Sequence, residues 1–495
     1  MSIVRPLVAA VAAAGLPVAL TAAEIRQVSL DDCLQMALQK NLDVRIAQYT
    51  PMVTRLTLSS AYWTYEPTLS AGARQSYAES EALTVIGAFQ PPANESWNER
   101  FDTSVTGLIP TGMNYQLTAA MNRQSGEQGG VDRGFFYTPS VGMTVTQPLL
   151  RNFWIDQPRL TIQLEKRNLK QGEYDVRAQV IQTATDVTIA YHDLIAARES
   201  VRVQQKALEL AERSLMENKK RVEVGAMAPL DEKEAAAQVA RSKSDLISAQ
   251  QSLSIAQNAL KRLTTDDFAG MKDAEYEPTA RLVAIPETFN RIDSWQKGLS
   301  MRPDILRNRL ELEKQRLTMK FTRNQLFPQL DLQGSFGVAG ADANLGPSLD
   351  DIERRNNPNF SAGIRIAMPF TNKRARNENQ AARLRNEQLL LRFKSLEQNA
   401  MVEIENAIQA ADAALQRVAA TEASMEYSEA ALQAEEKKLE NGKSTSFIVL
   451  QRQRDYTSAQ SEAIRAKSDY NKALARLAQS EGFTLDKYQL RLELK

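Results

Sequence analysis

Enzymatic chemistry needs a cluster of nucleophiles, acid–base groups or metal ligands, and this chain offers few. Its 495 residues contain one histidine, His192, and one cysteine, Cys33. A lone histidine makes no multi-histidine metal site and supplies little for imidazole-dependent acid–base catalysis. Cys33 has no partner for an intramolecular disulfide. Asp31-Asp32 stand before it where a lipidated cysteine needs small residues, so Cys33 reads as a small apolar residue packed on a helix. Glu435-Glu436 beside Lys437-Lys438 read as a solvated helix face with ion pairs. Asp231-Glu232 behind Pro229 fit a first helical turn, where acids meet the positive end of the macrodipole. The chain has no nucleophile elbow, phosphate loop or metal-ligand spacing. It carries no catalytic constellation and implies no cofactor.

Composition narrows the class further. Lys and Arg number 61 against 60 Asp and Glu, which leaves a formal charge of +1 and no basic field for a nucleic acid. The mean hydropathy of −0.40 is that of a soluble chain. Residues 1–23 read as an export signal: Arg5, an apolar Ala-rich run from Leu7 to Leu20, then Thr21-Ala22-Ala23. After Ala23 no apolar run approaches the roughly 18 residues of a helical span.

The elements that must position any functional residue come in two related sets. Asp32-Cys33-Leu34-Gln35 with Leu38 and Asp43 matches Asp293-Ser294-Trp295-Gln296 with Leu299 and Asp304, at an offset of 261. The same offset carries Glu66-Pro67-Thr68-Leu69 onto Phe327-Pro328-Gln329-Leu330. Gln147-Pro148-Leu149 answers Met368-Pro369-Phe370, and Val224-Gly225 answers Asn441-Gly442. The first repeat, 24–263, is expected to hold helices over 30–64, strands over 67–147 and long helices over 155–223 and 229–263. A linker, 264–290, leads to the second repeat, 291–480. There the expectation is a helix over 291–326, strands over 329–338 and 359–368, and long helices over 371–441 and 445–480, before a tail, 481–495. Pro67 to Pro148 spans 81 residues against 41 from Pro328 to Pro369, so the first half carries extra strand.

Val180, Val187, Leu194, Val201, Leu208 and Leu215 recur every seven residues, and Ile404, Ile408, Ala411, Leu415 and Val418 step by 4, 3, 4 and 3. That is coiled-coil spacing, with small Ala residues allowing close approach. The strand segments alternate instead. Leu69, Ala71 and Ala73, then Val141, Met143 and Val145, then Leu330, Leu332, Phe336 and Val338, then Phe360, Ala362, Ile364 and Ile366 each skip a polar or small residue. Period two gives one apolar and one polar face per strand, which fits a half-wet soluble sheet or a membrane barrel equally. Export, the split between halves and too little chain for a closed barrel favour an oligomeric barrel. Phe101 to Ile109, Pro110-Thr111-Gly112 and Tyr115 to Met121 form a further hairpin candidate, either in the wall or outside it. Phe135, Phe136, Tyr137, Trp97 and Trp154 flank strands and fit an interfacial girdle, although Trp154, beyond Pro148, also fits a strand–helix junction.

In this order the elements resemble the TolC-like outer membrane efflux proteins. The matching features are Leu30, Cys33-Leu34, Ala37-Leu38 and Asn41, Pro67 and Pro328 opening strands, Pro148 and Pro369 closing them, and the turns at Gly225 to Leu230 and Gly442 to Phe447. Leu42 stands where the family usually has Pro. The resemblance implies a mainly α fold with a β-barrel portion: antiparallel α-helical hairpins forming a trimeric α-barrel, continued by a shared transmembrane β-barrel of four strands per chain. It implies a homotrimer in the outer membrane of a Gram-negative-type cell, with its helices in the periplasm. The implied partners are a periplasmic adaptor protein and an inner-membrane pump, serving efflux or type I secretion.

In the family, acids six and nine positions after each tip glycine line the aperture. Here those positions are Asp231 and Glu234 after Gly225, and Ile448 and Gln451 after Gly442, so the second acidic ring is absent. The family's basic residue two after the second glycine is Ser444, beside Lys443. By the same resemblance Val224, Gly225, Ala226, Gly442, Lys443 and Ser444 are adaptor-docking tips, while as local sequence both glycines equally fit ordinary helix caps. The competing expectation is an exported periplasmic coiled-coil scaffold with a soluble sheet.

Overall fold

The computed structural model describes residues 25–80, 94–128, 131–225 and 227–490; the expected export signal, 1–23, lies outside them. In chain order the elements begin with β1 (Ile25–Val28), α1 (Leu30–Lys40), α2 (Leu42–Ala61), β2 (Thr68–Ser80), β3 (Asn94–Leu108), β4 (Asn114–Gln128), β5 (Val131–Asp132) and β6 (Phe136–Pro148). Two long helices follow, α3 (Gln157–Glu223) and α4 (Pro229–Thr264), then β7 (Glu275–Pro278), α5 (Arg291–Met301) and α6 (Pro303–Asn324). The chain continues through β8 (Gln329–Ala339), α7 (Leu345–Arg354), β9 (Pro358–Ala367), α8 (Lys373–Glu440), α9 (Ser446–Ser480) and α10 (Thr484–Lys487). Among the described residues two compact units divide these elements: 25–46, 179–298 and 402–490 make the first, and 47–178 and 299–401 the second. Each unit draws on both sequence repeats.

The helices expected over 30–64 divide at Asn41, and the single helix expected over 291–326 is interrupted at a proline. Asn41 ends α1 and begins α2: its Oδ1 accepts from Asp43 N at 2.9 Å, and its Nδ2 donates to the Leu263 carbonyl at 3.0 Å. Pro303 separates α5 from α6, because the residue before a proline is driven out of the helical region. At the other end of α1, Ser29 caps the helix. Asp32 N donates to Ser29 Oγ at 3.1 Å, and Ser29 N donates back to the Asp32 carboxylate at 3.0 Å.

The first unit packs α1, α3, α4 and β7 around Cys33, Leu34, Val187, Tyr191, Leu194, Leu260 and Tyr276. Cys33 is buried, as a packed apolar residue should be, and burial pushes its thiol up to about 12. Gln257 pins β7 to α4 through paired bonds with the Tyr276 backbone at 2.9 and 3.0 Å, and β7 pairs in parallel with β1. A second cluster joins Ala411, Ala414 and Val418 of α8 to Ala466, Tyr470 and Leu474 of α9. Of the heptad positions, Val180, Val187, Leu194, Ile404, Ile408 and Ala411 are fully buried, as their spacing requires.

The second unit contains one antiparallel sheet, in the order β2-β3-β4-β6-β8-β9, with β5 on β4. Whether the Phe101–Met121 hairpin joins the sheet was open from sequence; it pairs with β2 on one side and β6 on the other, which makes six strands along this path against the four that the resemblance implies. The register sorts the sequence alternation onto faces. One row runs Leu69, Val105, Leu117, Met143, Phe336 and Phe360 across all six strands. One residue away, on the opposite face, a row runs Thr68, Thr106, Gln116, Thr144, Ser335 and Ser361. The apolar row stays open to the surroundings, from 40% for Met143 to 84% for Phe360 among its most exposed members. Towards the β2–β3 connection this face ends in polar and aromatic pairs. Arg123 meets Glu99 at 2.7 Å, and the Tyr77 and Trp97 rings lie 4.7 Å apart. Leu349 and Ile352 of α7 overhang part of the same face near Phe101, Met121 and Val141.

Candidate functional site

The two helix–helix turns of the first unit gather the residues singled out from sequence. Gly225 and Gly442 end α3 and α8 with φ of +73° and +68°, the left-handed region that favours glycine. Gly442 N donates to the Leu439 carbonyl at 3.0 Å and Lys443 N to the Lys438 carbonyl at 2.8 Å, the paired bonds of a Schellman cap. Nothing lies within 4 Å of where a Cβ would stand on either glycine, so backbone conformation alone selects it. Val224 is 78% exposed; Lys443 is exposed and Ser444 half-buried, while Ala226 lies outside the described residues.

Asp231 and Glu234 lie three apart on α4, and Ile448 and Gln451 three apart on α9, so each pair shares a helix face. The α4 and α9 helices contact each other. The Asp231 carboxylate accepts from Ala228 N at 3.1 Å, which places it as an N-terminal helix cap. Glu234 is half-buried; Ile448 and Gln451 are exposed.

At this end the Glu435–Lys438 ion pair was expected from sequence, while the bonds of Ser444 and Asn218 were not. Ser444 Oγ donates to Glu435 Oε1 at 2.5 Å, and Lys438 Nζ meets Glu435 Oε2 at 2.9 Å. Glu435 is thus a tether between α8 and its turn and not a freely solvated acid. The Ser444 hydroxyl and then the Lys438 ammonium hold its carboxyl below the usual range. Asn218 of α3 donates to Ser446 Oγ at the start of α9 at 2.6 Å, and both residues are buried. The signal for Asn218 was present: it is a polar residue seven positions after the buried Ala211. For Glu435 the sequence marked an ion pair with the neighbouring lysines but not the bond to Ser444.

His192 lies elsewhere on α3. Burial pushes its imidazole down to about 4, helped by the Lys472 ammonium and opposed by the Asp193 carboxylate. Its Nδ1 is buried without a hydrogen-bond partner. In the second unit, Trp154 sits in the turn between β6 and α3 with the Arg159 guanidinium 4.4 Å over its ring. It therefore marks a strand–helix junction.

The outer membrane efflux protein family matches residues 115–265 and 295–482, well over half of the chain. The chain belongs to the outer membrane efflux protein family. Within curated proteins it is 26% identical over 316 residues to the pyoverdine export outer membrane protein OpmQ of Pseudomonas aeruginosa, covering 64% of this chain and 63% of that one. It is 24% identical over 281 residues to the cobalt-zinc-cadmium resistance protein CzcC of Cupriavidus metallidurans, covering 53% and 61%. Each match spans less than two thirds of the relative's length. Among solved structures, the outer-membrane channel OprN gives a TM-score of 0.68 at 17% identity, covering 92% of this chain and 89% of that chain. The CmeC outer membrane channel of Campylobacter jejuni gives 0.66 at 17% identity, covering 94% and 90%. At that identity the likeness is one of fold.

Proposed function

We propose that three copies of this chain close a shared β-barrel in the outer membrane and continue it as a helical tunnel in the periplasm. The assembly is the exit duct of a tripartite efflux pump or type I secretion system, and it works by opening its periplasmic end. The observation that carries the reading is the sheet of the second unit, with an exposed apolar face across six strands and a polar face behind it. Its outer strands β2 and β9 each pair on one side only among the described residues. In water such a sheet would present a large apolar patch and two open edges. In lipid, closure removes both. Tyr49, Val53 and Leu56 of α2 are each at least 60% exposed and step by 4 and 3, the pattern of a seam that another copy covers.

The substrate and the energy come from partners: a periplasmic adaptor protein and an inner-membrane pump. The turns at Val224, Gly225, Ala226, Gly442, Lys443 and Ser444 are the surfaces proposed to dock the adaptor. Asp231, Glu234, Ile448 and Gln451 are proposed to line the aperture behind them. The sequence repeats 24–263 and 291–480 supply equivalent hairpins to this wall. Fractionation of cells expressing the full chain tests the reading. We expect recovery in the outer membrane as a detergent-dependent trimer, and recovery from the periplasm without detergent would refute it in favour of a scaffold.

A further inference from the structure

We infer that the β3–β4 hairpin is a full member of the pore wall, so that each copy contributes six strands to the barrel and three copies build eighteen. This rests on the channel reading above. Three observations carry it. The hairpin is inserted into the ladder and does not hang from it: β3 pairs with every residue of β2, and β4 pairs with β6 from Asn114 to Gln124. Its two strands continue both faces without a break, Val105 and Leu117 within the apolar row and Thr106 and Gln116 within the polar row. A hairpin lying outside the wall would have no reason to keep either. Its turn is also built into the end of the sheet that meets the helices. Thr111 Oγ1 donates to Gln147 Oε1 at 3.1 Å and Gln147 Nε2 donates to the Thr111 carbonyl at 3.2 Å. A Cβ on Gly112, whose φ is +88°, would stand 2.7 Å from the Asn152 carbonyl oxygen.

The edges specify how copies join. Strands alternate in direction along the path from β2 to β9, so an even count leaves β9 of one copy antiparallel to β2 of the next. A heterologous contact repeated around a rotation axis then closes the barrel without a free edge. Barrel diameter grows roughly linearly with strand number. Eighteen strands therefore give a wall about 1.5-fold wider than twelve, and roughly twice the cross-section. At 16–18 strands a barrel keeps an open aqueous channel. The size limit on cargo then lies in the helical part of the duct and not in the membrane wall.

Electron cryomicroscopy of the full-length assembly in nanodiscs tests this by counting strands per chain. Six in the closed wall is expected. Four, with β2 paired directly to β6 and residues 94–128 outside the wall, would overturn this inference and leave the channel reading standing; no barrel at all would overturn the channel reading itself. Spin labels at Leu117→Cys and Gln116→Cys, with Cys33→Ser, give a second measurement on the hairpin. Oxygen from lipid should relax the first and a water-soluble nickel complex the second. Equal access of the nickel complex to both sites would overturn the placement of β4.

Discussion

Replacing Met143 by Arg should abolish assembly, whereas replacing its neighbour Thr144 by Arg should not. The two positions are adjacent on β6 but belong to opposite rows, Met143 with Leu117 and Phe336, Thr144 with Gln116 and Ser335. Met143 lies four residues from Pro139 and two from Val145 on the same face, about 14 and 7 Å along the strand. With strands tilted by about 40°, both distances keep the site inside an apolar band about 25 Å tall. An arginine near the bilayer midplane of a barrel costs about 2–4 kcal/mol. Met143 also leaves 40% of its surface for lipid to cover, which adds up to about 1 kcal/mol. The sum is about 2–5 kcal/mol per copy and about 6–15 kcal/mol for three, comparable with the whole stability of a typical domain. Thr144→Arg lies on the polar row, the face proposed to line the lumen, and should stay within about 0.5 kcal/mol. The assay is heat-modifiable migration of the outer-membrane fraction, with urea titration of whatever assembles. Equal tolerance of the two arginines would refute the assignment of faces, and loss of Thr144→Arg alone would invert it.

His192 should stay neutral in the folded protein down to about pH 4. Its unfolded counterpart takes up a proton near 6.5, so the unfolded state gains as pH falls; the stabilisation is complete above about 6.5 and lost towards 4, about 3 kcal/mol in all. Urea unfolding of wild type and His192→Gln at pH 7 and 4.5 checks this, and a pH dependence shared by both would remove His192 as its cause. Gly442→Val places a β-branched residue at φ +68° and should cost about 1–3 kcal/mol locally, read as faster proteolysis between Glu440 and Ser446 with the midpoint of global unfolding nearly unchanged. Glu234→Lys should lower cation preference in planar bilayers. It is a cleaner probe than Asp231, whose carboxylate also caps α4, and unchanged selectivity would place Glu234 off the lumen.

The strand faces were legible because period two is a local property: Leu330, Leu332, Phe336 and Val338 declare a face before any pairing is known. The long helices were legible for the same reason, through Val180, Val187 and Leu194. The hairpin was visible as two runs about Pro110-Thr111-Gly112, but its position was not, because pairing with β2 and β6 is a choice between partners distant in sequence. Four-residue strands such as β1 and β7 give too short a pattern to register, and α7 was likewise passed over. At the turns, the glycines announced themselves through the conformation they permit. Glu435 did not, since its bond to Ser444 depends on how the chain reverses after Gly442 and not on any spacing.

The polar row of the sheet has a further consequence. Thr68, Thr106, Thr144, Ser335 and Ser361 carry hydroxyls and Gln116 an amide, and Ser335 and Ser361 bond each other at 2.7 Å. Such a surface can both donate and accept hydrogen bonds, yet at this level it fixes no charge. Facing the inside of the proposed barrel, it would be wetted continuously and offer no hydrophobic constriction to dry out, and a passing solute would meet neither a deep electrostatic well nor a barrier at this level. Along this stretch the proposed wall would offer cargo nowhere to dwell. A molecule that reaches the sheet should leave at a rate set by diffusion.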